Sequence, residues 1–149
     1  MSLSLLKKTY GTRQDLERQG VWVSPVLDED HDISFLLARM FRTNKKWAGR
    51  VTKVYRQNKR KIDSGMIPDD LDKTMTLRIF CETILLDWRG IKDDKGVDIP
   101  YSVDAGMKLL AELPDLHDYL IEEANSATTY QAQAVDEVAG KSASTSAGS

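Results

Sequence analysis

At 149 residues, with 41% hydrophobic and 30% charged side chains, the chain has the length of one domain and enough apolar content to build one core. Its 21 Lys and Arg against 23 Asp and Glu leave a formal net charge of −2, a balance that points to neither nucleic acid nor membrane as a default partner. No stretch approaches the roughly 20 apolar residues of a membrane span, the start MSLSLLKKTY lacks a secretory pattern, and a single cysteine excludes an internal disulfide, so the sequence reads as cytosolic.

Residues 1 to 19 read as a short, flexible polar lead, with a helix near Thr12 to Gln19 that Gly20 closes. Val21, Trp22, Val23, Val26 and Leu27 favour β structure, but Ser24 and Pro25 interrupt them. That confines the segment to an edge strand or an extended arm. The acidic run Asp28 to Asp32 follows, and Asp32 suits an N-cap. From there Ile33, Leu37, Met40, Asn44, Trp47, Val51, Val54, Asn58 and Ile62 recur at mostly alternating spacings of four and three. The pattern predicts an amphipathic helix with two Asn in its seam, broken near Thr43 and Asn44 because both prefer caps and turns.

Between Arg39 and Lys61 there are ten Lys or Arg and no acid, so the remainder of the chain is acidic. Basic residues around Trp47 and Tyr55 would suit phosphates, with the rings stacking on bases. Trp47 shares its seam with Met40, Val51 and Val54, however, which makes it more economically a core residue and the basic side a solvated face, or one that docks on an acidic surface of another copy. Arg50, Lys53 and Arg56 are the candidates for such self-association, and Asn44 and Asn58 either set its register or sit at a bend.

Leu71 to Ser102 carry the most apolar helix pattern and the sharpest stop. Leu77, Phe80, Cys81, Ile84, Leu85 and Trp88 fall on one helical face, and Met75, Ile79 and Leu86 on a second, as in a sandwiched helix. Pro68 fits a first helical position, and Asp69, Asp70 and Asp72 oppose the positive end of the dipole. Gly90 and the polar run Lys92 to Gly96 end the helix in an exposed loop. Cys81 reads as a small buried hydrophobe. Ser102 caps a short helix, Val103 to Leu113, and Pro114 opens another with Leu116, Tyr119, Leu120 and Ala124 as its stripe, continuing to about Val138. From Gly140, KSASTSAGS offers only small polar residues and reads as a disordered tail. The expected architecture is a single, mainly α domain over residues 1–139, with a short β element near its N-terminus.

Catalytic and metal patterns fail on inspection. His31 and His117 stand far apart in sequence, with no zinc spacing around them. Setting Gly96 at the sixth position of a calcium loop puts Ile91, Lys95 and Ser102 at ligand positions one, five and twelve, where they do not serve. Phosphate-loop, dinucleotide and nucleophile-elbow motifs are missing. The sequence therefore gives no support to a cofactor, a metal or an enzyme.

The pattern Leu86-Asp87-Trp88-Arg89-Gly90, Asp93-Asp94-Lys95-Gly96, Ile99-Pro100-Tyr101-Ser102, Leu109-Leu110 and Pro114-Asp115-Leu116 resembles the tail assembly chaperones of long-tailed bacteriophages, over about residues 70 to 135. The order and spacing of the motifs carry the resemblance. It implies a mostly helical, non-enzymatic protein of the host cytoplasm that coats the tape measure protein before tail tube subunits polymerise around it, and that is absent from the virion. Such a chaperone shields apolar helix surface reversibly, which calls for an exposed apolar or mixed patch in many copies. Ile91, Val97, Ile99 and Tyr101 in the acidic loop, Trp88 before it, and Leu116 and Tyr119 on the following helix are the partner-binding candidates. Trp88 and Tyr101 serve equally to pack the loop on the core. The family also implies a longer frameshifted product, for which Gly140-Lys141 marks a candidate slippage site. Tail tube subunits and further copies of the chain are additional expected partners. The alternatives are a nucleic-acid-binding module using residues 39–61 and a head-tail adaptor that stays in the particle.

Overall fold

The computed structural model describes residues 2–65 and 69–131. In chain order the elements are α1 (Leu3–Tyr10), α2 (Gln14–Gln19), β1 (Val21–Val23), β2 (Ser34–Leu37), α3 (Lys45–Gln57), α4 (Lys59–Asp63), α5 (Asp69–Thr83), β3 (Leu85–Arg89), α6 (Val103–Glu112), α7 (Pro114–Asn125) and a 3-10 turn at Ala127–Tyr130. The fold is mainly helical, with a small antiparallel sheet in the order β1-β2-β3. β1 is an edge strand, as Ser24 and Pro25 require, and it pairs Val21 with Leu37 and Val23 with Phe35.

Two stretches expected to be helical are strands. The helix expected from Ile33 with Asp32 as its cap is instead β2, where Phe35 and Leu37 are buried and Ser34 and Leu36 are half-buried. Helix begins only at Lys45. Asn44 caps it by accepting from the Trp47 N–H at 3.3 Å while its own amide donates to the Arg39 carbonyl at 2.8 Å. Asn58 marks the bend between α3 and α4, and its side chain donates back to the Val54 carbonyl.

The helix expected to run to Gly90 ends at Thr83, and a single residue, Ile84, separates α5 from β3. Ile84 serves both elements, since its N–H closes the last helical turn on Phe80 and its carbonyl accepts from Ala38. A register shift opposite Leu36 and Leu37 leaves Leu86 as the extra residue of a bulge, so Leu85 pairs with Leu37 and Trp88 with Phe35. Both are buried although three positions apart. In a regular strand that odd spacing would put them on opposite faces, and in a helix it puts them on one. The bulge thus imitates helical periodicity.

Helices α5, α6 and α7 cover the buried face of the sheet. Phe35, Leu37, Phe80, Cys81, Ile84, Leu85, Leu110, Leu120 and Ala124 form the centre of the core, with Trp47 half-buried against it. Ser102 caps α6 and Pro114 opens α7, as expected. α7 stops at Asn125 rather than continuing to Val138, because the extended Ser126 turns the chain so that Tyr130 enters the core and donates to the Leu37 carbonyl at 3.0 Å. The helix expected near Thr12 to Gln19 is α2, closed by Gly20, and the polar lead before it holds a further helix, α1. The expected helix start at Pro68 and the tail from Gly140 lie outside the described residues.

At the junction of α2, the end of β2 and the start of α3, Glu17 and Arg39 form a buried ion pair at 2.9 Å. Glu17 also accepts from the Thr12 and Thr43 hydroxyls. Burial opposes its charge, but the three hydrogen bonds and the guanidinium hold its carboxyl below the ordinary value.

Candidate functional site

An open apolar groove of about 450 Å³ lies between the β1–β2 connection and the α6–α7 junction. One wall is Pro25, Leu27 and Ile33, and the other is Leu109, Leu113 and Leu116. Phe35, itself buried, and Ile91 close its base.

Local chemistry builds each wall. Ser24 donates its hydroxyl to the Ile33 carbonyl at 2.8 Å. The His31 ring accepts from the Ile33 N–H through Nδ1 at 3.0 Å, which assigns the Nε2 proton to the Pro25 carbonyl at 2.8 Å. Those bonds fold the acidic connection back on itself and leave Val26, 98% exposed, and Leu27, 49% exposed, beside the groove. On the other wall, Leu113 ends α6 while Pro114 starts α7, so no loop intervenes and Leu113 stays 47% exposed. Glu112 and Asp115 line the groove, and exposed Asp28, Glu29 and Asp30 follow Leu27. An apolar channel with acidic margins accepts the apolar side of a peptide or helix whose flanks are basic or neutral.

Of the partner-binding candidates, Ile91 and Leu116 meet in the groove. Tyr119 is half-buried near its edge, with its hydroxyl 3.5 Å from the Ser24 carbonyl. Trp88, Ile99 and Tyr101 form a separate strap. Trp88 is buried, its Nε1 donates to the Ile99 carbonyl at 2.7 Å, and its ring meets Tyr101 edge-on at 5.1 Å. Tyr101 in turn donates to the Cys81 carbonyl at 2.5 Å, and burial raises its hydroxyl pKa. These bonds pin the 91–101 connection to β3 and α5. Val97 stands apart at 61% exposure, on a turn where the Asp93 carboxylate accepts from the N–H groups of Lys95 and Val97. Asp93 thus orders its own backbone.

Pro25, Leu27, Ile33 and Leu113 escaped the sequence reading as contact residues. Their signal was there in part, since Val26 and Leu27 are large apolar residues set against a run of acids. Of the self-association candidates, Arg50 is engaged with Glu82 at 2.8 Å, while Lys53 and Arg56 are exposed. Cys81 is buried, and burial first, then the Glu82 charge, pushes its thiol up to about 12.

A family described as YdaY prophage protein matches residues 43–141, which is more than half of the chain. The chain belongs to this prophage family. The match spans α3 to the 3-10 turn and includes the Leu109 to Leu116 wall of the groove, while α1, α2, β1 and β2 precede it. No curated protein and no solved structure matches the chain at a significant level. Within the YdaY-family protein, no described helix is long and apolar enough to cross a membrane.

Proposed function

We propose that this phage protein is a tail assembly chaperone, acting without catalysis in the host cytoplasm, that holds apolar helical segments of the tape measure protein until tail tube subunits replace it. The observation that carries the reading is the open apolar groove with Glu112 and Asp115 at its margin, a shape that grips one side of a helix without enclosing it. Membership of a prophage family and the order of the motifs from Leu86 to Leu116 agree with it. A shallow site gives modest affinity per copy, so a long client is covered by many copies and released as they are displaced together. A frameshifted longer product beginning near Gly140-Lys141 belongs to the same proposal.

The test is copurification of tape measure protein from cells making both proteins. The wild type is expected to retain the client, and Leu113→Asp, which alters a half-exposed groove wall, is expected to lose it. Equal retention by both would remove the groove from the account. A second reading has one observation in its favour: Lys53, Arg56, Lys59, Arg60 and Lys61 are exposed along α3 and α4 near a half-exposed Tyr55. A nucleic-acid module of that kind would show affinity for DNA or RNA that falls steeply with salt.

A further inference from the structure

Helix α1 is amphipathic, and among the described residues nothing covers its apolar side. Leu3, Leu6 and Tyr10 lie at spacings that place them on one side of the helix, and they are 66%, 47% and 75% exposed. No residue of α1 is buried. The helix is nevertheless well specified, since the Ser2 hydroxyl accepts from the Leu5 N–H, and Lys7 and Lys8 sit in its last turn where the dipole favours cations. A stable helix that leaves its apolar side in water is an element waiting for a surface.

The groove is complementary in both respects that the structure shows. It is apolar where α1 is apolar, and it is bordered by Glu112 and Asp115 where α1 carries Lys7 and Lys8. We propose that α1 of one copy docks in the groove of a second copy. Geometry selects a second copy over the chain's own groove. The C-terminal end of α1 is tied beyond the far end of α7, where Gln131 donates to the Thr9 carbonyl at 2.9 Å and the Arg13 N–H donates to Tyr130. The groove lies at the opposite end of α7, at Pro114 and Leu116. The helix between them spans about 18 Å at 1.5 Å per residue. An arm at one end and a receptor at the other make a head-to-tail contact, which propagates into a ring or an open chain rather than closing a two-fold dimer.

This inference uses the groove that the chaperone reading uses, and it adds that copies occupy one another's grooves before a client does. Sedimentation velocity on the full chain is the experiment, with Leu6→Glu to disable the arm and Leu113→Glu to disable the groove. Both positions are half-exposed, so both variants keep the wild-type circular dichroism and melting temperature. The wild type is expected to associate, more weakly at high salt, and each variant alone to sediment as a monomer. Mixed together, the two variants are expected to form a dimer, because one retains an intact groove and the other an intact arm. A monomeric wild type overturns the proposal, and so do variants that associate alone or that fail to rescue each other. A Ser4→Cys, Glu112→Cys pair split between two copies supplies a second readout, since the native Cys81 is buried; no disulfide between copies would count against the contact. Client capture is scored separately. Leu6→Glu keeps the groove, so its failure to retain tape measure protein alongside successful rescue would sink the chaperone reading and leave the self-docking intact.

Discussion

Replacing Glu17 by Ala should destabilise the protein far more than an ordinary surface substitution. The Glu17 and Arg39 side chains are 4% and 10% exposed. Removal of the carboxylate strands the Arg39 guanidinium, whose Nε already has no hydrogen-bond partner among the described residues, and takes the acceptor from the Thr12 and Thr43 hydroxyls. Breaking a buried pair from one side costs about 3–5 kcal/mol, which for a domain of this size lowers Tm by roughly 10 °C. The double variant Glu17→Leu, Arg39→Met removes both charges and should recover most of the loss, because the desolvation penalty goes with them. Urea denaturation of the three proteins gives the comparison. A loss below about 1 kcal/mol for Glu17→Ala would mean that the pair behaves as an exposed one, and the reasoning would fail. The pair also sets an acid limit. The carboxyl is held below its ordinary value of 4.5, so its contribution is fully present above that pH and is lost as the pH falls through the lower folded value.

Three further outcomes follow from the same structure. Gly90 has φ +77°, and a Cβ there would meet the Asp32 carbonyl oxygen at 2.7 Å, so Gly90→Ala should cost about 3 kcal/mol in a urea titration, and a cost near zero would contradict the geometry. Burial holds His117 below its ordinary value of 6.5, with Asp118 partly offsetting the effect. The unfolded chain then binds the proton first, and stability should fall as the pH drops below 6.5 towards the lower folded value, with a slope that His117→Gln flattens; an unchanged slope would refute the assignment. Cys81 should resist a thiol reagent at neutral pH in the native protein and react once urea unfolds it, and rapid native labelling would show the thiol to be accessible.

The parts of the fold that were legible in the sequence are those set by local chemistry. Pro25 after a β-favouring cluster placed an edge strand, Ser102 and Pro114 placed the starts of α6 and α7, and Asn44 placed a break because its side chain caps its own helix. The errors share a different cause. Leu85 and Trp88 kept a helical spacing because a bulge absorbed Leu86, and Phe35 and Leu37 were too short an alternation to stand out beside the longer pattern running through Ile33 and Leu37. The Glu17–Arg39 pair spans 22 positions, and no local pattern announces it. The groove was half legible for the same reason. Ile91 stood out as an apolar residue of the acidic loop and Leu116 belonged to a recognisable motif, whereas Pro25, Leu27 and Ile33 joined them only through the pairing of β1 with β2 and the packing of that connection against α6 and α7.

The most direct test of the chaperone account is quantitative mass spectrometry of two samples from one induced culture: tape measure protein captured from the lysate, and purified phage particles. The account predicts many copies of this chain on the captured tape measure protein and none in the particles. Its presence in the particles at a fixed stoichiometry would contradict the account and make the protein a structural component instead.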